Sequence, residues 1–145
     1  MTGEFSVAVH GLIYLMRAEQ TVSSRNLADN MCTNPARVRK VMAELGRAGL
    51  VQAREGRGGG GYRAIPDSGS NTLLQVLDAL GNAAVPDLWR TGDLDRECLL
   101  STGIGALMDD LCRDLNDLCR ARLKQMTLQS VSDRIFSGTG GNGGE

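Results

Sequence analysis

Between Leu99 and Phe136 no proline interrupts the chain, and Ile104, Met108, Leu111, Leu115, Leu118, Arg122 and Met126 trace a near-heptad seam through it. That spacing keeps one face of a helix apolar. A single helix of roughly 35 residues, rising about 1.5 Å per residue, would reach about 50 Å, far longer than an average globular helix. Its stripe needs a partner, and a second copy of the same chain is the economical one. The chain has 145 residues, which leaves room for one further small domain. Only 3% of the residues are aromatic, so that domain's core must be built from Leu, Val, Ile, Met and Ala, a set that favours helices over sheets.

The first part of the chain supplies such a domain. Phe5, Ala8, Val9, Leu12, Ile13 and Met16 recur at helical spacing and predict an amphipathic helix over about 4–18, with His10 and Tyr14 on its other face. Ser23 is placed to cap a short helix from Arg25 to Met31 that points Leu27 and Ala28 inward. Cys32-Thr33-Asn34 forms the turn. Pro35 suits the first position of the next helix because its missing N–H has no intrahelical partner to lose, and Thr33 or Asn34 can cap it. Val38, Val41, Met42 and Leu45 fall on one face, leaving Arg37, Lys40, Glu44 and Arg47 towards solvent, and Gly49 stops the helix near Ala48. Two helices joined by so short a turn, the second basic on its outer face, form a helix-turn-helix pattern.

Leu50 to Arg54 and Tyr62 to Ile65 read as the strands of a β-hairpin around a glycine-rich tip, Glu55 to Gly61. Such a wing lets backbone approach a phosphate or a groove closely, with Arg54, Arg57 and Arg63 supplying charge. No Gly-Lys-Ser/Thr follows the glycines and no helix opens directly after them, so nucleotide binding is set aside. The net charge of -1 conceals two opposed segments. Residues 34–63 carry seven basic and two acidic side chains, a net of +5, whereas residues 64–119 carry three basic and ten acidic, a net of -7. A local basic patch on a near-neutral chain is what a nucleic-acid footprint requires, and a merely solvated surface is the bland alternative. Beyond the wing, Asn71 or Thr72 can cap a short helix through Leu80, with Leu73, Leu74, Val76, Leu77 and Leu80 as its stripe.

Other function classes fall away on composition and motif. No run approaches the roughly 18 apolar residues of a membrane span. The first residues lack the basic segment and small-residue cleavage site of a secretory signal, so the expected compartment is the cytoplasm. With one histidine, no Ser-His-Asp or Cys-His arrangement and no paired carboxylates outside a solvated acidic stretch, an enzyme is not expected. Four cysteines without a C-x-x-C pair fit reduced thiols, metal ligands or redox sensors better than a disulfide framework.

Phe5-Ser6-Val7-Ala8-Val9-His10, Thr33-Asn34-Pro35, Leu45-Gly46-Arg47-Ala48-Gly49-Leu50-Val51, Gly58 to Tyr62 and Thr72-Leu73-Leu74-Gln75-Val76 together resemble the Rrf2 family of bacterial winged-helix regulators, relatives of IscR, NsrR and CymR. The resemblance runs over roughly residues 4–135 and comes nearest the YwnA-like branch, where Ala-x-His, Thr-Asn-Pro and a single Cys before the long helix recur. It implies a mainly α fold: a winged helix-turn-helix DNA-binding domain with a two-stranded β wing over 1–80, a sensor loop over 81–98, a dimerisation helix over 99–136, and a disordered Gly-rich tail over 137–145. It further implies a transcriptional regulator, a repressor by expectation, that binds a pseudo-palindromic operator in double-stranded DNA as a homodimer. Thr33, Asn34, Arg37 and Lys40 would meet base edges and phosphates in the major groove, and Arg57 with the wing glycines would enter the minor groove. The candidate DNA-binding set is Ser24, Thr33, Asn34, Arg37, Lys40, Arg54, Arg57, Gly58, Gly59, Gly60 and Tyr62.

Cluster-bearing members of that family place three closely spaced cysteines before the dimerisation helix, and this chain departs from the pattern. Only Cys98 lies in the corresponding loop; Cys112 follows after thirteen intervening residues and Cys119 after six more. Cys98, Cys112, Cys119 and Cys32 are the candidate sensors, and His10, Cys98, Cys112 and Cys119 the candidate metal ligands. Cys112 and Cys119 share a helix face, so two dimer-related helices could bring them together, while packing filler is the plainer fate of buried free Cys. The cofactor stays open between an iron–sulfur cluster with non-standard ligands and none. The alternatives to a redox- or cluster-linked repressor are a cluster-free winged-helix protein-interaction module and a regulator answering to a small molecule.

Overall fold

In the computed structural model of the chain, the described residues are 3–56, 60–86, 91 and 97–138. Helices α1 (Gly3–Ala18), α2 (Ser24–Met31) and α3 (Pro35–Arg47) come first. Strands β1 (Val51–Arg54) and β2 (Gly61–Ala64) follow, then a 3-10 turn at Ser68–Ser70 and helices α4 (Leu73–Ala79), α5 (Leu99–Lys124) and α6 (Leu128–Ser137). The strands pair antiparallel with Val51 opposite Ala64 and Arg54 opposite Gly61, and they form the expected two-stranded wing.

One core serves the first four helices and reaches α6. Leu12, Leu15, Leu27, Val38, Met42, Leu45, Leu77 and Leu128 are shut off from solvent within it. The buried face of α1 overlaps the expected one in part: Ala8, Leu12 and Ile13 are buried as expected, together with Val7, Gly11 and Leu15, whereas Phe5, Val9 and Met16 are only partly covered. The reason is tertiary. Helix α1 is packed on several sides, against α2, α3, α4 and α6, so its covered arc is wider than one amphipathic stripe and is centred elsewhere. Gly11 is part of that packing, because a Cβ there would run into the Met42 methyl group of α3.

The proline-free stretch is not one helix. Helix α5 is long, at 26 residues, or about 39 Å, but it ends at Lys124 and the chain turns through Gln125, Met126 and Thr127. Thr127 Oγ1 accepts from Ser130 N–H at 3.0 Å, and Ser130 Oγ accepts from Thr127 N–H at 3.0 Å, a capping box that starts a new helix. The turn is sewn to the start of α4, where a second capping box joins Thr72 and Gln75. Leu73 N–H donates to Met126 O and Leu128 N–H to Asn71 O, both at 2.9 Å. Folding back buries Leu128 and Ser132, which a straight continuation would have carried away from the core. Helix α5 itself is tied down near its end by the buried Leu123 and by Arg120, whose guanidinium donates to both Asp78 carboxylate oxygens at 2.7 and 3.3 Å.

Candidate nucleic-acid interface

Local chemistry sets the helix-turn-helix. Ser23 Oγ accepts from Asn26 N–H at 3.1 Å and starts α2. Cys32 closes that helix in the left-handed conformation, φ 55°, which lets Thr33 N–H return to Ala28 O at 3.0 Å. Of the two possible caps for α3, Asn34 is the one used: its Oδ1 accepts from Arg37 N–H at 2.8 Å with Pro35 in the first turn. Val38, Val41, Met42 and Leu45 are buried as expected, and Ala36, Arg37, Arg39, Lys40, Ala43 and Arg47 are exposed. Glu44 departs from the expected solvent position, since one of its carboxylate oxygens is enclosed by the protein.

The wing is fastened to this unit on its second edge. Val22, just before α2, exchanges backbone hydrogen bonds with Tyr62 at 2.9 and 2.8 Å, so β2 is paired on both sides. Gly61 is required at that approach: its φ is +155°, and a Cβ would collide with the Val22 carbonyl. Tyr62 is half-buried, and burial raises its phenol pKa against a smaller opposing effect from the charge of Arg39. It stays a neutral side chain at the base of the wing.

The basic side chains divide into engaged and open ones. Lys40 Nζ is 2.7 Å from Glu4 Oε1, and the hydrogen bond to and the charge of Glu4 raise its pKa. The Arg37 guanidinium lies against Gly3, where an added Cβ would come within 2.5 Å of it. Both lean towards the start of α1 while staying exposed, as expected of that face. Arg63, expected to charge the wing, is exposed on β2 and donates to the Glu19 carbonyl at the end of α1, at 3.4 Å. Arg39, which sequence reasoning did not single out, is exposed beside Ser24, its Nη1 3.5 Å from Oγ. Arg54 and Asn34 are exposed, Thr33, Gly60 and Ser24 half-buried, and Arg57, Gly58 and Gly59 lie outside the described residues. The signal for Arg39 was its place one step from the Val38 stripe, on the wing side of α3; only the fold says which side that is.

The candidate ligands are not brought together. Cys98 is exposed at the N-terminal end of α5. Cys112 is buried, its thiol donating to Pro86 O at 3.5 Å, and Cys119 is half-buried against the core. Both therefore pack against their own chain, whereas Leu111 and Leu118 are exposed. At about 1.5 Å per residue, the helical rise puts Cys98 roughly 21 Å from Cys112 and Cys112 roughly 10 Å from Cys119, against metal–thiolate bonds of about 2.3 Å for zinc. His10 is on α1, its Nε2 2.7 Å from Asn30 Oδ1, at the rim of a groove of about 910 Å³ shared with Phe5, Tyr14 and Phe136. No group of three or more His, Cys, Asp or Glu among the described residues could hold a metal ion. Cys32 is exposed at the turn before α3. The expected sensor loop is described only at 81–86, 91, 97 and 98; of the expected disordered tail over 137–145, Ser137 instead ends α6 and Gly138 caps it, and residues 139–145 lie outside the described residues. What is described of the loop is clasped to α5: Asn116 accepts from Val85 N–H at 2.8 Å and donates to Val85 O at 3.0 Å. Among the described residues no helix is long and apolar enough to cross a membrane.

Residues 1–134 match the Rrf2 family, whose description is iron-dependent transcriptional regulator. Among solved structures the chain is similar to a candidate transcriptional regulator from Lactobacillus plantarum, at 26% identity over 96% of this chain and 94% of that one, with a TM-score of 0.77. It shares its fold with CymR, the global cysteine regulator of B. subtilis, at 18% identity over 92% and 96% of the two chains and a TM-score of 0.64. It also shares it with IscR of T. potens, at 14% identity over 100% and 92% and a TM-score of 0.62. The comparison with curated proteins returned no match.

Proposed function

The chain belongs to the Rrf2 family of transcriptional regulators, and from that premise we propose that it is a repressor that binds a pseudo-palindromic DNA operator as a homodimer paired through α5. The observation that carries this reading is the pairing of two unfinished surfaces on one chain. One is the exposed basic face of α3 beside the wing; the other is the apolar face of α5, where Leu107, Leu111, Leu115 and Leu118 stand in solvent. A monomeric protein rarely leaves such a row uncovered. Pairing two copies covers it and sets two recognition helices at a fixed spacing, which a two-fold operator requires.

Redox-linked control belongs to the reading through Cys98, an exposed thiol at the start of α5. A cluster held by Cys98, Cys112 and Cys119 of one chain is left out of it, because those thiols are strung along the helix and two of them are turned into their own protomer. The test is selection of duplexes from a random library, followed by binding to the selected sequence over a range of salt and sedimentation equilibrium of the protein. The expected result is a dimer that selects a two-fold site, with log K falling linearly in log salt. A chain that stays monomeric at micromolar concentration, or that selects no sequence, would overturn it. Unchanged operator binding by oxidised wild type and by Cys98→Ala would remove Cys98 from the control.

A further inference from the structure

We infer that Arg39, and not Arg37 or Lys40, is the side chain of α3 that reads a base pair, and that the base it selects is guanine. The inference rests on the DNA-binding reading above and deepens it. Three observations carry it. First, the neighbouring cations point towards α1: Lys40 is ion-paired with Glu4 at 2.7 Å, and the Arg37 guanidinium lies against Gly3. These two can neutralise phosphates, but turning either into a groove would break a contact with α1. Arg63 lies on β2 and donates to the Glu19 carbonyl at the end of α1.

Second, Arg39 stands where the parts of the interface meet. It is exposed, its Nη1 donates to Ser24 Oγ at the start of α2 at 3.5 Å, and its charge is felt by Tyr62 at the base of the wing. It lies in the first half of the recognition helix, the half whose side chains reach base edges in helix-turn-helix proteins. Arg47, the other open arginine of α3, is that helix's last residue.

Third, its surroundings permit close approach. Ala36 and Ala43 lie on the exposed side of the helix, and neither projects far enough to hold the helix away from a groove floor. A planar guanidinium with a fixed fork of donors matches the O6 and N7 acceptors of guanine, which only a G·C pair presents together in the major groove.

The experiment is a random-duplex selection carried out in parallel with the wild type, Arg39→Ala, Arg39→Lys and Arg37→Ala, each checked for an unchanged far-ultraviolet circular dichroism spectrum. The expected wild-type consensus contains one guanine per half-site whose preference disappears in Arg39→Ala, with affinity for that site falling about 5- to 150-fold. Arg39→Lys should lose most of the same preference, because an ammonium cannot make the paired contact. Arg37→Ala should keep the consensus and weaken all sequences alike, with the salt slope reduced by about one. If Arg39→Ala keeps the wild-type consensus, or Arg37→Ala is the variant that loses a guanine, the assignment is wrong while the DNA-binding reading stands. A wild type that selects nothing overturns both.

Discussion

Leu118 offers the sharpest test of the pairing through α5. In the single chain it keeps 68% of its surface exposed. Covering a leucine side chain completely contributes about 1.5 to 3 kcal/mol, so covering what remains of Leu118 contributes about 1 to 2 kcal/mol. A two-fold interface counts every residue twice. Leu118→Ala should therefore weaken self-association by up to about 2 to 4 kcal/mol, a rise in the dimer dissociation constant of about 30- to 900-fold. The fold of the protomer should be nearly untouched, because substitutions at an exposed position change stability by no more than about 0.5 kcal/mol. Sedimentation equilibrium over a wide concentration range measures the first quantity, and far-ultraviolet circular dichroism checks the second. An association constant equal to that of the wild type would exclude pairing through this face, since the most exposed leucine of the central seam cannot lie in an interface and contribute nothing. Loss of helicity in the variant would refute it differently, by showing that Leu118 supports its own protomer.

Three further predictions concern the features that place the interface. Thr127→Ala removes the cap that starts α6 and should cost about 0.5 to 2 kcal/mol in a denaturant melt, whereas a full-strength α6 would show that packing of Leu128 alone sets the break. Gly61→Ala pushes a methyl group into the Val22 carbonyl and should lower stability by more than the roughly 1 kcal/mol that separates Gly from Ala conformationally, with faster amide exchange at Tyr62; an unperturbed Tyr62 amide would contradict the close approach. Lys40 has a folded pKa raised above its ordinary 10.5 by Glu4, so its pairing stabilises the fold fully below that value and is lost only as pH rises through the higher folded one. Melting of the wild type and Lys40→Met should accordingly differ by the same amount at pH about 7 and about 9, and a gap that closed by about 9 would contradict a raised Lys40 pKa.

Much of the architecture was legible because its signals are local. Ser23 and Asn34 cap through hydrogen bonds to residues three positions on, Pro35 fixes its own φ, and Gly49 takes up its positive φ, 76°, at the end of α3. The buried row of α3 is legible for a related reason, since a helix packed on one side shows its period in the residues themselves. Helix α1 is packed on several sides, and the same arithmetic chose Phe5 and Met16 where the structure buries Val7 and Leu15.

The order and kind of the elements are written in the residues: two helices and a tight turn, a glycine-tipped hairpin, and a long apolar-striped helix too exposed to stand alone. Where that last stretch breaks depends on packing, because Thr127 becomes a cap when Asn71 and Leu73 are there to pair with the turn, and nothing between Lys124 and Thr127 is a helix breaker in its own right. Packing likewise decides which cations are open. Lys40 and Arg37 meet Glu4 and Gly3 across more than thirty residues of chain, and Arg39 meets none of them. Charge along a helix is written in the sequence, but whether that charge is free to meet a ligand depends on the helix lying next to it.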